Sequence, residues 1–139
     1  MLLAGMFDLG VPQSVVEEPL HALGLAGRYR LDCCEQSSGG LRGRRVSVVA
    51  LEDQPPHRQW SDIRETITSA SLQPGLKQLV LSVFGNLAEA EAEVHGIPVE
   101  KVHFHEVGAI DALVDVIGVC AAFLQLDPEQ VCCSPLPAG

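Results

Sequence analysis

Two histidines and three carboxylates crowd the segment 102–118, VHFHEVGAIDALVDVIG. His103 and His105 stand two apart, so in an extended strand their imidazoles point to the same side. Asp111 and Asp115 stand four apart and would stack one turn from each other on a helix. Glu106 lies between the two pairs. From 107 to 126 the two aspartates are the only acidic or basic side chains. A helix this apolar is expected to be buried on most sides, where a lone carboxylate is costly unless paired or bound to a cation. The pattern suggests a metal or a cationic ligand.

Glu91 and His95 add an i, i+4 pair at the border of a buried helix face, and only a short connector separates His95 from His103. Glu91, His95, His103, His105, Glu106, Asp111 and Asp115 could therefore converge where two helices meet. Imidazole with carboxylate suits nickel, zinc, iron or manganese, so donor type alone does not select the metal. Carboxylates can also orient the imidazole rings from behind. Most of these residues have an ordinary structural explanation too. Glu89, Glu91 and Glu93 fit a solvated acidic face, His95 a helix C-terminus favoured by the macrodipole, and Asp111 a first-turn acid. Asp115, well inside the helix, is harder to explain that way. A metal or cation site and a satisfied polar network both stay open on the residues alone. Neither a G-x-S-x-G elbow nor a phosphate-cradling P-loop is present.

The elements that must position these groups read as α/β. A helix over the opening residues ends at Gly10, and Pro12 and Ser14 start a second helix, 15–23, closed by Gly24. Residues 28–36 and 43–52 are strand candidates, the second rich in β-branched Val46, Val48 and Val49. The SSGG between them predicts an antiparallel hairpin. A loop is expected over 53–59. Ser61 is a suitable N-cap for a helix to 69, and Pro74 a suitable first residue for a helix to 95, stopped by Gly96. The apolar stripe of that long helix is expected at Leu76, Leu79, Val80, Val83, Leu87, Ala90 and Val94. Residues 102–105 read as extended, 108–126 as the apolar helix, and 131–134 as a final buried strand. Together these predict a small mixed sheet with helices packed on it.

At 139 residues the chain suits one domain. A net charge of −9 argues against a nucleic-acid surface. Arg42, Arg44 and Arg45 are expected on a solvated strand edge. No apolar run is long enough to cross a bilayer, and the opening MLLAGMFDLGVP lacks the basic start of a signal peptide. A cytoplasmic protein with neither nucleic-acid nor membrane partners is the expectation. The five cysteines form no C-x-x-C pair and are expected as small buried hydrophobes, with soft-metal ligation by one of them open.

The motif residues also carry a resemblance. VHFHEVGAIDALVDVIG, preceded by LAEAEAEVHG and followed by SPLPAG, is similar to the N-terminal region of the LarC family of nickel-insertion proteins, as are FDLGVP and the WSDI at 60–63. The resemblance extends over nearly all of the chain, so residues 1–139 are read as a LarC-like N-terminal domain. It implies a CTP-dependent nickel cyclometallase, a lyase that inserts nickel into pyridinium-3,5-bisthiocarboxylic acid mononucleotide for the nickel-pincer cofactor of lactate racemase. By position it supports His95, His103, His105, Glu106, Asp111 and Asp115 as metal candidates, with nickel the implied metal. The family's opening strand and glycine-rich D-x-x-x-G-x-x-G-D-M turn would precede Met1, so the sheet is expected to lack its first strand. The loop before Trp60, often histidine-rich in the family, holds only His57 here. The C-terminal region, where CTP and Mg²⁺ or Mn²⁺ are expected, would follow SPLPAG. The chain is thus read as incomplete at both ends, one part of a larger or split protein. The implied partners are the nickel-pincer precursor, a LarC C-terminal part or a second copy. The alternatives are a non-catalytic interaction domain, a fragment inactive on its own and a metal-dependent hydrolase.

Overall fold

The computed structural model describes residues 2–51, 58–104 and 107–135. Two short helices open the chain, α1 (Leu2–Asp8) and α2 (Gln13–Ala22). Strands β1 (Tyr29–Ser38) and β2 (Leu41–Ala50) form an antiparallel hairpin with Tyr29 opposite Ala50 and Ser38 opposite Leu41. Its two-residue turn, Gly39–Gly40, has φ of +57° and +79°, the left-handed pair that matches strand twist and that glycine adopts without strain. Helices α3 (Trp60–Ser69) and α4 (Pro74–His95) follow, then a single 3₁₀ turn at Val99–Lys101 and the apolar helix α5 (Ile110–Leu126). A second antiparallel ladder joins β3 (Arg58–Gln59) to β4 (His103–Phe104). Helices and strands are mixed as expected, with the strands divided between two separate antiparallel pairs.

Helix α5 is the centre of the core. Ile110, Leu113, Val114, Ile117, Gly118, Cys120, Ala121 and Ala122 are buried, and α1, α2 and α4 pack around it. Gly118 marks where α1 and α2 cross it. A Cβ there would stand 2.8 Å from Val16 Cγ1 and 3.4 Å from Leu3 Cδ1, so only glycine lets the helices approach this closely. Helix α4 runs antiparallel to α5. Leu76, near its start, shares a depression with Ala121, Leu124 and Gln125, while Val83 shares one with Asp115, Val116 and Val119. The end of α4 is thereby directed toward the end of the molecule where α5 starts.

Several sequence expectations need correction. Gln59, not Ser61, is the N-cap of α3, and Ser61 lies inside its first turn. Part of the expected 53–59 loop is strand, since Arg58 and Gln59 pair with β4; residues 53–57 lie outside the described residues. The buried face of α4 is Leu76, Val80, Phe84, Ala88 and Ala92, a strict i, i+4 row. Ala90 and Val94 are exposed, because the expected stripe drifted around the helix. Residues 131–134 form no strand and are exposed. Of the cysteines only Cys120 is buried; Cys33 is half-buried and Cys34, Cys132 and Cys133 are exposed. Pro74 at the start of α4 and Gly96 at its end, with φ of +62°, stand as expected. There the Ile97 N–H donates to the Ala92 carbonyl at 3.1 Å, closing the last turn. Among the described residues no helix is long and apolar enough to cross a membrane.

Candidate functional site

The strand that carries His103 is short, and its position comes from its neighbours. In the β3–β4 ladder Arg58 lies opposite Phe104 and Gln59 opposite His103. The Trp60 N–H extends the pairing by donating to the Val102 carbonyl at 3.0 Å. Phe104 points inward and anchors β4 between Trp60 of α3, at 6.5 Å between ring centroids in an edge-on arrangement, and Phe84 of α4, at 6.3 Å. Alternation along the strand then leaves His103 exposed on the opposite side.

Gly108 lies close against Phe104. A Cβ at Gly108 would stand 2.8 Å from the Phe104 carbonyl oxygen and 3.5 Å from Arg58 Cβ. Arg58 also donates through Nη1 to the Gly108 carbonyl. Phe104 and Gly108 are therefore held against each other and against β3. His105 and Glu106, both metal candidates, lie between them in sequence and outside the described residues.

Asp111 and Asp115 share one face of α5, as their spacing requires, but that face is the exposed one. The helix is buried on most sides, and the two aspartates occupy the strip that is not. The cost of a fully buried lone carboxylate therefore does not arise, and only the partial burial of Asp115 is left of that argument for a bound cation. Asp111 sits in the first turn of α5, where its Oδ1 accepts the Ala112 N–H at 2.9 Å and its charge suits the helix N-terminus. Asp115 borders an apolar groove of about 480 Å³ between α1, α4 and α5, lined by Leu2, Leu3, Val83, Val116, Val119 and Cys120. Partial burial there pushes its carboxyl above the ordinary carboxylate range, and the Asp111 charge adds to the rise.

His95, at the exposed end of α4, pairs through Nε2 with Glu91 Oε2 at 3.2 Å. The antiparallel packing of α4 and α5 puts this pair and Asp111 toward the same end of the molecule. Even so, no three His, Cys, Asp or Glu side chains among the described residues lie close enough to hold one metal ion. His95 and Glu91 form a pair, and neither His103 nor Asp111 completes it into a three-ligand group.

Reading the sequence missed three residues that shape this region. Arg58 fell in an expected loop, and the Trp60–Phe104 packing that makes it a strand is not local. Arg28 and Arg58 face one small depression from elements 30 residues apart in sequence. Gly108 stood inside the motif, where a glycine between polar residues was the available signal of a close backbone approach. The arginines expected on a strand edge are there, and Arg42 also ties the hairpin to α1 through Asp8 Oδ1 at 3.2 Å.

The chain is similar to proteins named for nickel insertion. It is 43% identical over 139 residues to one from Synechococcus sp. (strain JA-3-3Ab), covering 100% of this chain and 35% of the relative. It is 45% identical over 138 residues to one from Thermomicrobium roseum, covering 99% of this chain and 34% of the relative. It is 37% identical over 146 residues to the pyridinium-3,5-bisthiocarboxylic acid mononucleotide nickel insertion protein of Akkermansia muciniphila, covering 100% of this chain and 36% of the relative. The chain thus spans about a third of the length of these curated relatives. No solved structure matches it significantly. The family model described as nickel insertion protein matches residues 1–139, the whole chain, and the chain belongs to that family.

Proposed function

We propose that this chain handles nickel during its insertion into pyridinium-3,5-bisthiocarboxylic acid mononucleotide, as part of a larger or split cyclometallase. Nickel is cargo in this reading, received and released through the region of His95, His103, His105, Glu106, Asp111 and Asp115. The supporting observation is the antiparallel packing of α4 on α5, which directs the end of α4 that bears His95 toward the same end of the molecule as the start of α5 that bears Asp111. A group that must surrender its metal needs few protein ligands, because the acceptor's sulfur atoms complete the coordination as nickel leaves. A site with one or two described donors, together with His105 and Glu106, suits that task better than a closed structural cage. CTP and Mg²⁺ or Mn²⁺ would act through a region outside these 139 residues, and the lactate racemase pathway and a cytoplasmic setting belong to the same proposal.

Isothermal titration of the purified chain with Ni²⁺, beside the His103→Ala/His105→Ala double variant, tests it. Nickel binding weakened roughly tenfold or more in the variant is expected. Equal binding by both proteins, or none by the unsubstituted chain, overturns the proposed site.

The apolar groove beside Asp115 favours a second reading, a non-catalytic domain that docks another part of the family protein. Leu2, at its rim, is 71% exposed. Capture of a purified C-terminal part that is insensitive to both nickel and chelator, and lost on Leu2→Asp/Val119→Asp, would favour that reading.

A further inference from the structure

The β3–β4 ladder places Gln59 directly across from His103. One residue on, the Trp60 N–H donates to the Val102 carbonyl at 3.0 Å, which marks Trp60 and Val102 as a hydrogen-bonding position. Such positions alternate with non-hydrogen-bonded ones along an antiparallel pair. Gln59 and His103 therefore stand at a non-hydrogen-bonded position, where Cα atoms are only about 4.5 Å apart and side chains come closest. Both side chains are exposed, on the face away from Phe104. That face has a firm backing, because the Phe104 ring is packed against Trp60 and Phe84. Gln59 is also the N-cap residue of α3, yet its side chain makes no capping hydrogen bond. The Ser61 hydroxyl reaches Gln59 Oε1 at 3.4 Å, and Asp62 Oδ1 at the same distance. An amide oxygen accepts two hydrogen bonds, so Oε1 keeps a lone pair for a second donor.

We propose that Gln59 is the positioning residue of His103, its Oε1 accepting the N–H of one ring nitrogen and so keeping the lone pair of the other for nickel. The assignment rests on the proposed function, which makes His103 a nickel donor. A neutral imidazole carries one N–H and one lone pair, and either nitrogen can hold the proton. Metal takes only the nitrogen with the lone pair, so a ring with no set tautomer offers its donor atom part of the time. Histidines that bind metals regularly give their second N–H to an acceptor, which fixes both tautomer and ring orientation. The ladder gives this task to Gln59. Arg58 pairs on the other face, with Phe104, and a guanidinium has donors alone. An amide also matches nickel as cargo. A carboxylate in this place would make the ring more basic and the metal harder to surrender, whereas an amide orients the ring without adding charge.

Two-bond proton–nitrogen spectra of the full chain with labelled histidines, recorded at pH 8 without nickel, test the pairing. The His103 signals are identified by their loss in His103→Gln. In the unsubstituted chain His103 should hold a single tautomer. Gln59→Leu removes the acceptor and should give a mixture of both tautomers, and Gln59→Glu restores an acceptor oxygen and should return a single one. Because the Gln59 side chain caps nothing, both variants should melt with the unsubstituted chain in circular dichroism. Nickel titration of Gln59→Leu should show affinity lowered about tenfold or more. A mixture in the unsubstituted chain, or a single tautomer that persists in Gln59→Leu, overturns the pairing. Nickel affinity left unchanged by Gln59→Leu overturns the positioning role. A chain that binds no nickel refutes the proposed function instead, and the tautomer spectra still decide whether Gln59 holds His103.

Discussion

Gly108 and Phe104 approach so closely that a Cβ on Gly108 would stand 2.8 Å from the Phe104 carbonyl oxygen. Phe104 cannot retreat, because its ring is packed against Trp60 and Phe84. The close approach therefore couples the core to the motif.

Gly108→Ala should force this contact apart. We expect a loss of about 1–3 kcal/mol in chemical denaturation, the usual cost of overfilling a packed position, and weaker nickel binding. Gly85→Ala on α4 is the control, since a Cβ there meets nothing within 4 Å. It should stabilise by about 0.5–1 kcal/mol through helix propensity and leave nickel binding unchanged. Equal stability of the two variants would contradict the close approach at Gly108.

Gly118→Ala should also destabilise, although alanine is the better helix former. The added methyl would meet Val16 Cγ1 at 2.8 Å, and a β-branched side chain has little room to rotate away. Overpacking of about 1–3 kcal/mol outweighs the helix gain of about 1 kcal/mol. Introduced into a Val16→Ala background, the same substitution should cost little, and urea titrations of the four proteins of this cycle would show the coupling. Additive losses would rule out the Gly118–Val16 contact as the cause.

Asp115 should make stability depend on pH in a definite direction. Burial, with Asp111 adding to it, raises its native pKa above the unfolded value. Between those two values the native state binds more protons than the unfolded one, so stability rises as pH falls through the raised pKa and levels off below the ordinary carboxylate range. At pH 7 the carboxylate is charged in both states and opposes folding. Asp115→Asn should thus have a modestly higher Tm at pH 7, an advantage that fades toward pH 3. A lower Tm at pH 7 would contradict the desolvation at this groove.

Cys120 should be the least reactive of the five thiols. Burial pushes its pKa up to about 11, leaving almost no thiolate near neutrality. In a timed reaction with Ellman's reagent at pH 8, exposed Cys34, Cys132 and Cys133 should react first and half-buried Cys33 more slowly. Cys120 should react only when the chain unfolds. Rapid modification of all five thiols in the native protein would contradict the packing of α5.

Local rules made much of the fold legible. Pro74 and Gly96 bracket α4, and the SSGG turn sets the hairpin, because these residues act through their own backbone angles. Where an element depends on distant partners, legibility ended. Gln59 and Arg58 become a strand only because β4 lies beside them. Val94 looked like core by its apolarity but stands 80% exposed, off the i, i+4 row that α4 buries. Val131 lies in an apolar run with no neighbour to cover it, and it is 66% exposed.

The candidate site divides in the same way. Residue spacing by itself determined that Asp111 and Asp115 share a helix face and that His95 ends a helix shortly before His103, since periodicity depends only on local geometry. Motif residues likewise carried the family. Tertiary structure alone decided that the aspartates' face is the exposed one, because which side of α5 is covered depends on where α1, α2 and α4 pack. It alone brought Arg28 and Arg58 to one depression and closed Gly108 on Phe104. Those relationships join residues far apart in the chain or held by distant packing, and they exist only once hydrophobic burial has folded the helices around α5.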